Sequence, residues 1–127
     1  MAGTTVTIKA KKKMLQARAG IISQLPPITQ MAFGDGGVDE HGDVISYPPD
    51  ANALNSELLR KAIDGYEVIS DTCIRYATTL SESELGGVYI SECGLIDSEG
   101  DFVALKAFLK KGKDADMKVI FECDDTF

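Results

Sequence analysis

The sequence predicts an α+β domain, made mainly of antiparallel β-sheet or a small β-sandwich, with an N-terminal helix and a short second helix. Two apolar-rich stretches, residues 88–96 and 102–109, flank a polar turn, which is the pattern of a β-hairpin. Apolar and polar residues alternate over 117–123, as they do in a half-buried strand. Residues 8–19 are rich in alanine, lysine and other good helix formers.

The N-terminal segment predicts an extended arm followed by the helix, over about residues 8–20. Threonine and valine dominate the arm, and Gly20 stands where a C-terminal helix cap belongs. Met14, Leu15 and Ala19 are expected to form one apolar stripe, with the lysines coating the opposite face.

The middle of the chain predicts a strand, a long loop and a short helix. A proline pair forces an extended backbone before residues 28–33, which alternate as a strand does. The Gly-, Asp- and Pro-rich residues 34–50 predict a surface loop. Asp50 can cap a short helix to about Leu58. Periodicity alone leaves residues 58–63 open between helix and strand.

The second half predicts three or four consecutive antiparallel strands, over about residues 57–124. An Asp-Gly turn precedes the β-branched and aromatic residues 66–80, which predict one long strand. Residues 81–84 have capping-box spacing and predict a single helical turn before the hairpin. Residues 110–116 predict a charged turn before the last strand.

The composition is that of one globular domain, expected over residues 1–127. The chain is 44% hydrophobic and 26% charged, and it is long enough for one core without metal or disulfide staples. No apolar run approaches the ~18 residues of a transmembrane helix. No apolar stretch follows the N-terminal lysines as in a signal peptide, so we expect folding in the cytoplasm. Cys73, Cys93 and Cys123 form no Cys-x-x-Cys pair and are expected to be small buried hydrophobes.

Charge divides the chain into a basic end and an acidic body. Residues 1–20 carry +5 and the remainder carries −12, within an overall net charge of −7. An acidic body argues against nucleic acid as a partner. The basic run Lys11, Lys12 and Lys13 is a solvated helix face, a contact for a polyanion, or a patch that docks on the acidic body of a neighbouring copy.

The sequence offers little for catalysis or for binding a metal or cofactor. His41, the single histidine, lies in the predicted loop, and no Gly-x-Ser-x-Gly element accompanies it. Asp35, Asp39 and Asp43 invite a calcium interpretation, but the spacing of a calcium-binding EF-hand is not met. The glycines do not follow a phosphate-binding pattern. We therefore expect no enzyme activity, no cofactor and no metal.

Several blocks together resemble the N-terminal domain of phage tail-collar fibre proteins. The matching blocks, in chain order, are ARAG at residues 17–20, ITQMAFGDGG at 28–37, LNSELLRK at 54–61, SDTCIRY at 70–76, ELGG at 84–87, ISECGLID at 90–97, GD at 100–101 and GKDADM at 112–117. No block is diagnostic alone, but their order and number cover nearly the whole chain.

The resemblance implies a virion structural protein of a phage or prophage-derived tail, in contact with other tail or baseplate proteins. It implies a homo-oligomer, usually a trimer, and a short helix leading into a strand over residues 54–63. Family fibres continue into a shaft and a receptor-binding tip, whereas this sequence ends at Phe127, which favours an attachment or adaptor role. The residues expected at subunit contacts are Lys11, Lys12, Lys13 and Arg18 on the helix and Asp35, Asp39, His41 and Asp43 in the loop.

Two other functional classes compete with this interpretation. A stand-alone carbohydrate- or cell-surface-binding module would stack sugars on exposed aromatic rings, but the chain has no tryptophan and is 7% aromatic. A small hydrolase would need His41 as its base. We expect a protein that works through protein–protein contacts.

Overall fold

The computed structural model describes residues 4–127 as two antiparallel β-sheets and one helix; residues 1–3 of the predicted domain lie outside the described residues. The elements are β1 (Thr5–Val6), α1 (Ile8–Arg18), β2 (Ile28–Gly34), β3 (Glu57–Ala62), β4 (Gly65–Ser70), β5 (Cys73–Leu80), β6 (Val88–Asp97), β7 (Phe102–Lys113) and β8 (Val119–Thr126). Five strands form one sheet in the order β1-β7-β6-β2-β3, and three form the other in the order β4-β5-β8. Each strand pair is antiparallel.

The main core lies between the two sheets. Side chains of β2, β6 and β7 meet those of β5 and β8, and the rings of Phe33 and Phe121 lie 5.1 Å apart. The other face of the five-stranded sheet is covered by the loop after β2, whose Tyr47 and Leu54 pack on Ile96. Burial on both faces explains why the centre of β6 is a continuous buried run, with no alternation between buried and exposed positions.

The β-rich class, the N-terminal helix and the 88–109 hairpin are confirmed, but the short second helix is absent from residues 4–127. Among those residues, 49% lie in strands and 9% in the helix, so the fold is more purely β than the α+β class suggests. Residues 50–56 are irregular, and β3 begins directly at Glu57. The reason is that the backbone N–H groups of Asn55 and Ser56 donate to the Glu92 side chain, while Leu54 is buried on the sheet.

The single long strand predicted for residues 66–80 is also wrong, because the chain reverses after Ser70. The strands β4 and β5 form a hairpin in which Val68 lies opposite Ile74. The backbone N–H of Thr72 donates to the Ser70 hydroxyl at 3.3 Å inside the turn. β-propensity is high on both sides of this reversal, so composition alone does not reveal it.

The turn regions of the second half also differ from the prediction. Residues 81–84 form a turn and no helix, although Ser81 and Glu84 keep the capping-box contact, with the Ser81 N–H donating to the Glu84 carboxylate at 2.9 Å. The strand β7 continues to Lys113, so the charged turn predicted over 110–116 is shorter than expected. Pairing with β6 extends β7, with Ile90 opposite Lys111.

The helix buries a different face from the one predicted by the apolar stripe. Leu15 is 61% exposed, and the buried side chain of α1 is that of Ala10. The side chain of Lys13, predicted on the solvated face, is only 13% exposed. An ion cluster and the N-terminal cap position this helix, as described below. The predicted cap at Gly20 is confirmed by its φ of +77°, a conformation that favours glycine.

An ion pair between β3 and the 81–87 turn gives a testable prediction for the pKa of Glu84. The Lys61 ammonium lies 2.7 Å from the Glu84 carboxylate, and this contact, with the Ser81 N–H, lowers the pKa of Glu84 from 4.5 to about 2. Because the folded-state pKa is depressed, the pair's stabilisation is present above pH 4.5 and is lost as the pH falls towards 2. We expect an NMR titration to show a Glu84 midpoint near 2. Lys61→Met should move it upward, whereas Lys118→Met should leave it in place.

Candidate interaction surfaces

The helix α1 is anchored to the β6–β7 hairpin by Thr7, the N-cap residue that precedes Ile8. The buried Thr7 hydroxyl accepts the Ala10 N–H at 3.1 Å and donates to the carbonyl of Phe102 at 2.6 Å. The Thr7 N–H donates to the carbonyl of Val103 at 3.1 Å. One threonine therefore both caps the helix and fixes it to β7.

An ion cluster fixes the middle of the helix. The Lys13 ammonium lies 2.6 Å from Asp97, 2.8 Å from Glu99 and 2.9 Å from Asp101, all at the turn between β6 and β7. Lys9 adds a contact of 3.2 Å to Asp101. The oxygens of the three acids lie within 4.8 Å of one another, a spacing that a metal could use, and in this fold the Lys13 ammonium contacts all three.

The protonation equilibria of the cluster follow from these contacts. Burial by itself lowers the pKa of Lys13, but the hydrogen bonds to Asp97, Glu99 and Asp101 outweigh it and raise the pKa above its usual value. The hydrogen bonds from Lys13 and Lys9 lower the pKa of Asp101. Lys13 is therefore charged and engaged by carboxylates of its own chain, so little of its hydrogen-bonding capacity is left for a partner protein.

Of the remaining basic residues of the helix, Lys11 and Lys12 lie on what we call the α1 outer face, and the exposed Arg18 lies in the last turn. The α1 outer face is made of Ile8, Lys11, Lys12, Leu15, Ala19 and Ile21. The first six residues line an open groove of about 440 Å³ together with Gln16. Ile21 is 71% exposed there. Lys11, Lys12 and Arg18 lie away from the core, and within residues 4–127 none of them has a carboxylate within ion-pair distance.

The predicted contact residues of the loop lie on a compact, exposed turn, which we call the acidic turn (residues 35–43). The Asp39 carboxylate accepts the N–H groups of His41 at 2.8 Å and Asp43 at 3.0 Å, so it holds the turn closed. Asp35 and Asp43 are exposed, and the imidazole of His41 is 75% exposed. Asp39 therefore shapes the turn, while Asp35, His41 and Asp43 are presented to solvent.

The loop that carries the acidic turn is held to the sheet by Glu92, a fully buried carboxylate that sequence reasoning missed. One carboxylate oxygen accepts the Tyr47 hydroxyl at 2.6 Å and the Asn55 N–H at 3.0 Å. The other accepts the N–H groups of Gly36 at 2.9 Å and Ser56 at 2.8 Å. Burial and the bond to Glu92 raise the pKa of Tyr47. The sequence signal for Glu92 is an acid inside the apolar run of β6.

The two sets of predicted contact residues form separate surfaces. Within residues 4–127, no hydrogen bond or ion pair joins α1 to the acidic turn. The acids that do meet the helix are Asp97, Glu99 and Asp101. The alternation of Asp97, Glu99 and Asp101 in the sequence could have indicated this acidic cluster. Its pairing with Lys13 could not be read from the sequence, because Lys13 and Asp97 are 84 residues apart in the chain.

The groups around His41 do not form a nucleophile–base pair. Its imidazole lies 3.6 Å from Glu40, and no serine, threonine or cysteine side chain within residues 4–127 makes a hydrogen bond to it. In the described part of the chain, no helix has the length and apolar character to cross a membrane.

Comparison with known proteins identifies a family. The family described as phage tail-collar fibre protein, N-terminal, matches residues 1–120. No curated protein and no solved structure matches the chain. The matched region includes α1, the acidic turn, the Glu92 network and the β6–β7 hairpin.

Proposed function

The chain belongs to the phage tail-collar fibre protein family, whose members are phage tail structural proteins, and on this premise we propose that it is a non-enzymatic attachment or adaptor component of a tail fibre or baseplate. It acts by contact with its own copies and with neighbouring tail proteins. Its place is the tail of a virion or tail-like particle, including prophage-derived tails, after folding in the host cytoplasm.

The observation that carries this proposal is the α1 outer face. It combines an apolar groove with Lys11 and Lys12, and Arg18 lies in the last turn of the same helix. None of these three cations has an ion-pair partner within residues 4–127, on a protein whose net charge is −7. Exposed apolar side chains gain free energy when a partner covers them. Rim cations steer an acidic partner and set its orientation more than they add affinity. The helix itself is rigidly held by Thr7 and Lys13, so the face is presented in one orientation.

The acidic turn of a neighbouring copy is the counterpart we propose for this face. Asp35 and Asp43 supply exposed negative charge, and Glu92 holds the loop beneath them. A contact between two different surfaces is heterologous, and such contacts close into a ring when the rotation permits. A trimer closed in this way agrees with the oligomeric state expected for the family.

The test is the double variant Lys11→Glu/Lys12→Glu, which leaves Lys13 and its ion cluster intact. We expect at least a tenfold loss of incorporation into tail particles, because charge reversal places like charges at the contact. Incorporation is measured by quantitative immunoblotting of purified particles, and self-association of the purified chain by light scattering. Association should also weaken as salt is raised.

The matched control is Lys110→Glu/Lys118→Glu, which makes the same change of charge on β7 and the β7–β8 turn. This control should assemble normally. If Lys11→Glu/Lys12→Glu assembles as well as the control, the α1 outer face is not the contact. A second double variant, Asp35→Lys/Asp43→Lys, should also lose association, and a chain that combines it with Lys11→Glu/Lys12→Glu should regain association, because every contact of the ring then pairs opposite charges.

A carbohydrate-binding role is the alternative, and the exposed rings of Tyr66 and Tyr89 are the observation that favours it. The ammonium of Lys110 lies 5.0 Å from the Tyr89 ring centroid. Binding of the purified chain to a glycan array, abolished by Tyr66→Ala/Tyr89→Ala, would support this class. Lack of glycan binding would leave the attachment role.

A further inference from the structure

A second concentration of positive charge lies far along the chain from α1, where β7 faces β8. Of the eight basic residues that follow residue 20, five fall within residues 106–118. Three of them, Lys106, Lys111 and Lys113, line a cavity of about 280 Å³. Its apolar wall includes Cys93, Phe108 and Phe121.

The three lysines have no carboxylate partner in the described part of the chain. None of them has a carboxylate oxygen within 4.0 Å among residues 4–127, although the protein has 20 acidic residues. Lys113 is 2% exposed, and its ammonium donates to the carbonyl of Glu82 at 3.2 Å. An ammonium has three donors, so one carbonyl leaves this buried cation with unused capacity.

The other two lysines, Lys111 and Lys106, lie beside the apolar wall of the cavity. The Lys111 ammonium lies 5.4 Å from the ring centroid of Phe108, which is part of the cavity wall. Lys106 lies opposite Cys93 in the β6–β7 register. The pKa of the Cys93 thiol is lowered, first by its hydrogen bond with Cys123, which outweighs the effect of burial, and then by the charges of Lys106 and Lys111.

One acid, Glu122, also lines the cavity, at its edge on the outer face of the three-stranded sheet. Its carboxylate is 57% exposed and is 3.9 Å from the guanidinium of Arg75. The net charge of the lining is therefore +2. Fixed cations beside an apolar wall act on an anion more strongly than they would in bulk water.

We propose that the cavity between β7 and β8 binds a small oxyanion, a phosphoryl, sulfate or carboxylate group, through Lys106, Lys111 and Lys113. The cavity is smaller than the ~300–1,000 Å³ of drug-sized ligand sites, which favours a single anionic group over a larger molecule. Charge-assisted hydrogen bonds from lysine suit such a group. This site is separate from the α1 outer face and stands whether or not the attachment role holds.

The test uses inorganic phosphate as the probe, with acetate in a parallel titration at constant ionic strength. The backbone amides of residues 106–113 are followed by NMR in the full chain. We expect saturable shifts confined to β7, β8 and Cys93. Lys106→Met keeps most of the unbranched side chain and removes the ammonium with its charge, and it should weaken binding about tenfold. Lys111→Met should do the same.

The matched controls are Lys110→Met and Lys118→Met, neighbouring lysines that do not line the cavity. They should leave the affinity within about twofold, since exposed charges at this range are largely screened. Lys113→Met removes a buried cation, so its folding is checked first by the spectrum without phosphate. Tighter binding of phosphate assigns the site to phosphoryl groups, and tighter binding of acetate assigns it to carboxylates. Failure of both anions to saturate overturns the proposal, as does equal weakening in the Lys110→Met and Lys106→Met variants.

Discussion

Replacement of Gly37 by alanine is expected to destabilise the fold by more than about 3 kcal/mol. Gly37 is buried where the loop after β2 crosses β6, and its N–H donates to the Ser91 hydroxyl at 2.9 Å. A Cβ at this position would overlap the backbone carbonyl of Ser91, with the carbonyl carbon 2.6 Å away. Ser91 lies in β6, the central strand of the five-stranded sheet, at the irregularity between Ile90 and Glu92, and both of these neighbours pair with β7, so a shift of its carbonyl would strain those pairs.

Gly65→Ala is the matched control for this variant. Gly65 begins β4 and does not adopt the left-handed conformation, and a methyl group added to it would have no atom of another segment within 4 Å. Alanine should therefore change the free energy of unfolding by less than about 1 kcal/mol, and in the stabilising direction. Urea unfolding followed by circular dichroism measures both variants. A Gly37→Ala protein as stable as Gly65→Ala would show that the loop does not rest on β6 in this way.

Glu92→Gln is expected to cost about 3 kcal/mol of folding free energy, because the carboxylate accepts four hydrogen bonds and donates none. A glutamine amide replaces one acceptor oxygen by a donor. If its NH₂ group faces Gly36 and Ser56, two backbone N–H groups lose their acceptor. If it faces Tyr47 and Asn55, the hydroxyl can turn to accept, but the N–H of Asn55 remains unpaired.

Glu67→Gln is the control, since within residues 4–127 the exposed Glu67 carboxylate takes part in no hydrogen bond or ion pair. It should change stability by less than about 0.5 kcal/mol. Equilibrium unfolding gives the free energies, and hydrogen exchange of residues 36–56 reports on the loop. We expect Glu92→Gln to raise exchange in this segment more than in β7. An unchanged exchange rate there would contradict the role given to Glu92.

Local patterns predicted most of the elements correctly. The helix from Ile8, the strand from Ile28 and the hairpin of β6 and β7 each carry their own periodicity, capping or turn signal. The errors fall where local signals compete with distant contacts. Asp50 is a possible cap, and Leu54 and Leu58 lie one helical turn apart. Glu92, however, takes the N–H groups of Asn55 and Ser56, which a short helix would have used.

The predicted contact residues show the same division between what local sequence indicates and what distant contacts decide. Lys11, Lys12 and Lys13 are equivalent as a run of charge, and only their angular positions on α1 separate them. Lys13 faces the β6–β7 turn and is paired there, whereas Lys11 and Lys12 remain on the α1 outer face. Likewise, Asp35, Asp39 and Asp43 are all exposed, but among their carboxylates that of Asp39 alone accepts backbone N–H groups of the acidic turn, those of His41 and Asp43.

The amino-acid sequence by itself determined the β-rich class, the N-terminal helix, the central hairpin and the family resemblance, because each depends on residues close together in the chain or on ordered blocks. The tertiary structure decided which helix lysines are paired, how Glu92 holds the loop, and which cations line the cavity between β7 and β8. The physical reason is that pairing of charges and satisfaction of buried hydrogen-bonding groups are set by distances across the fold, which residue order does not encode locally.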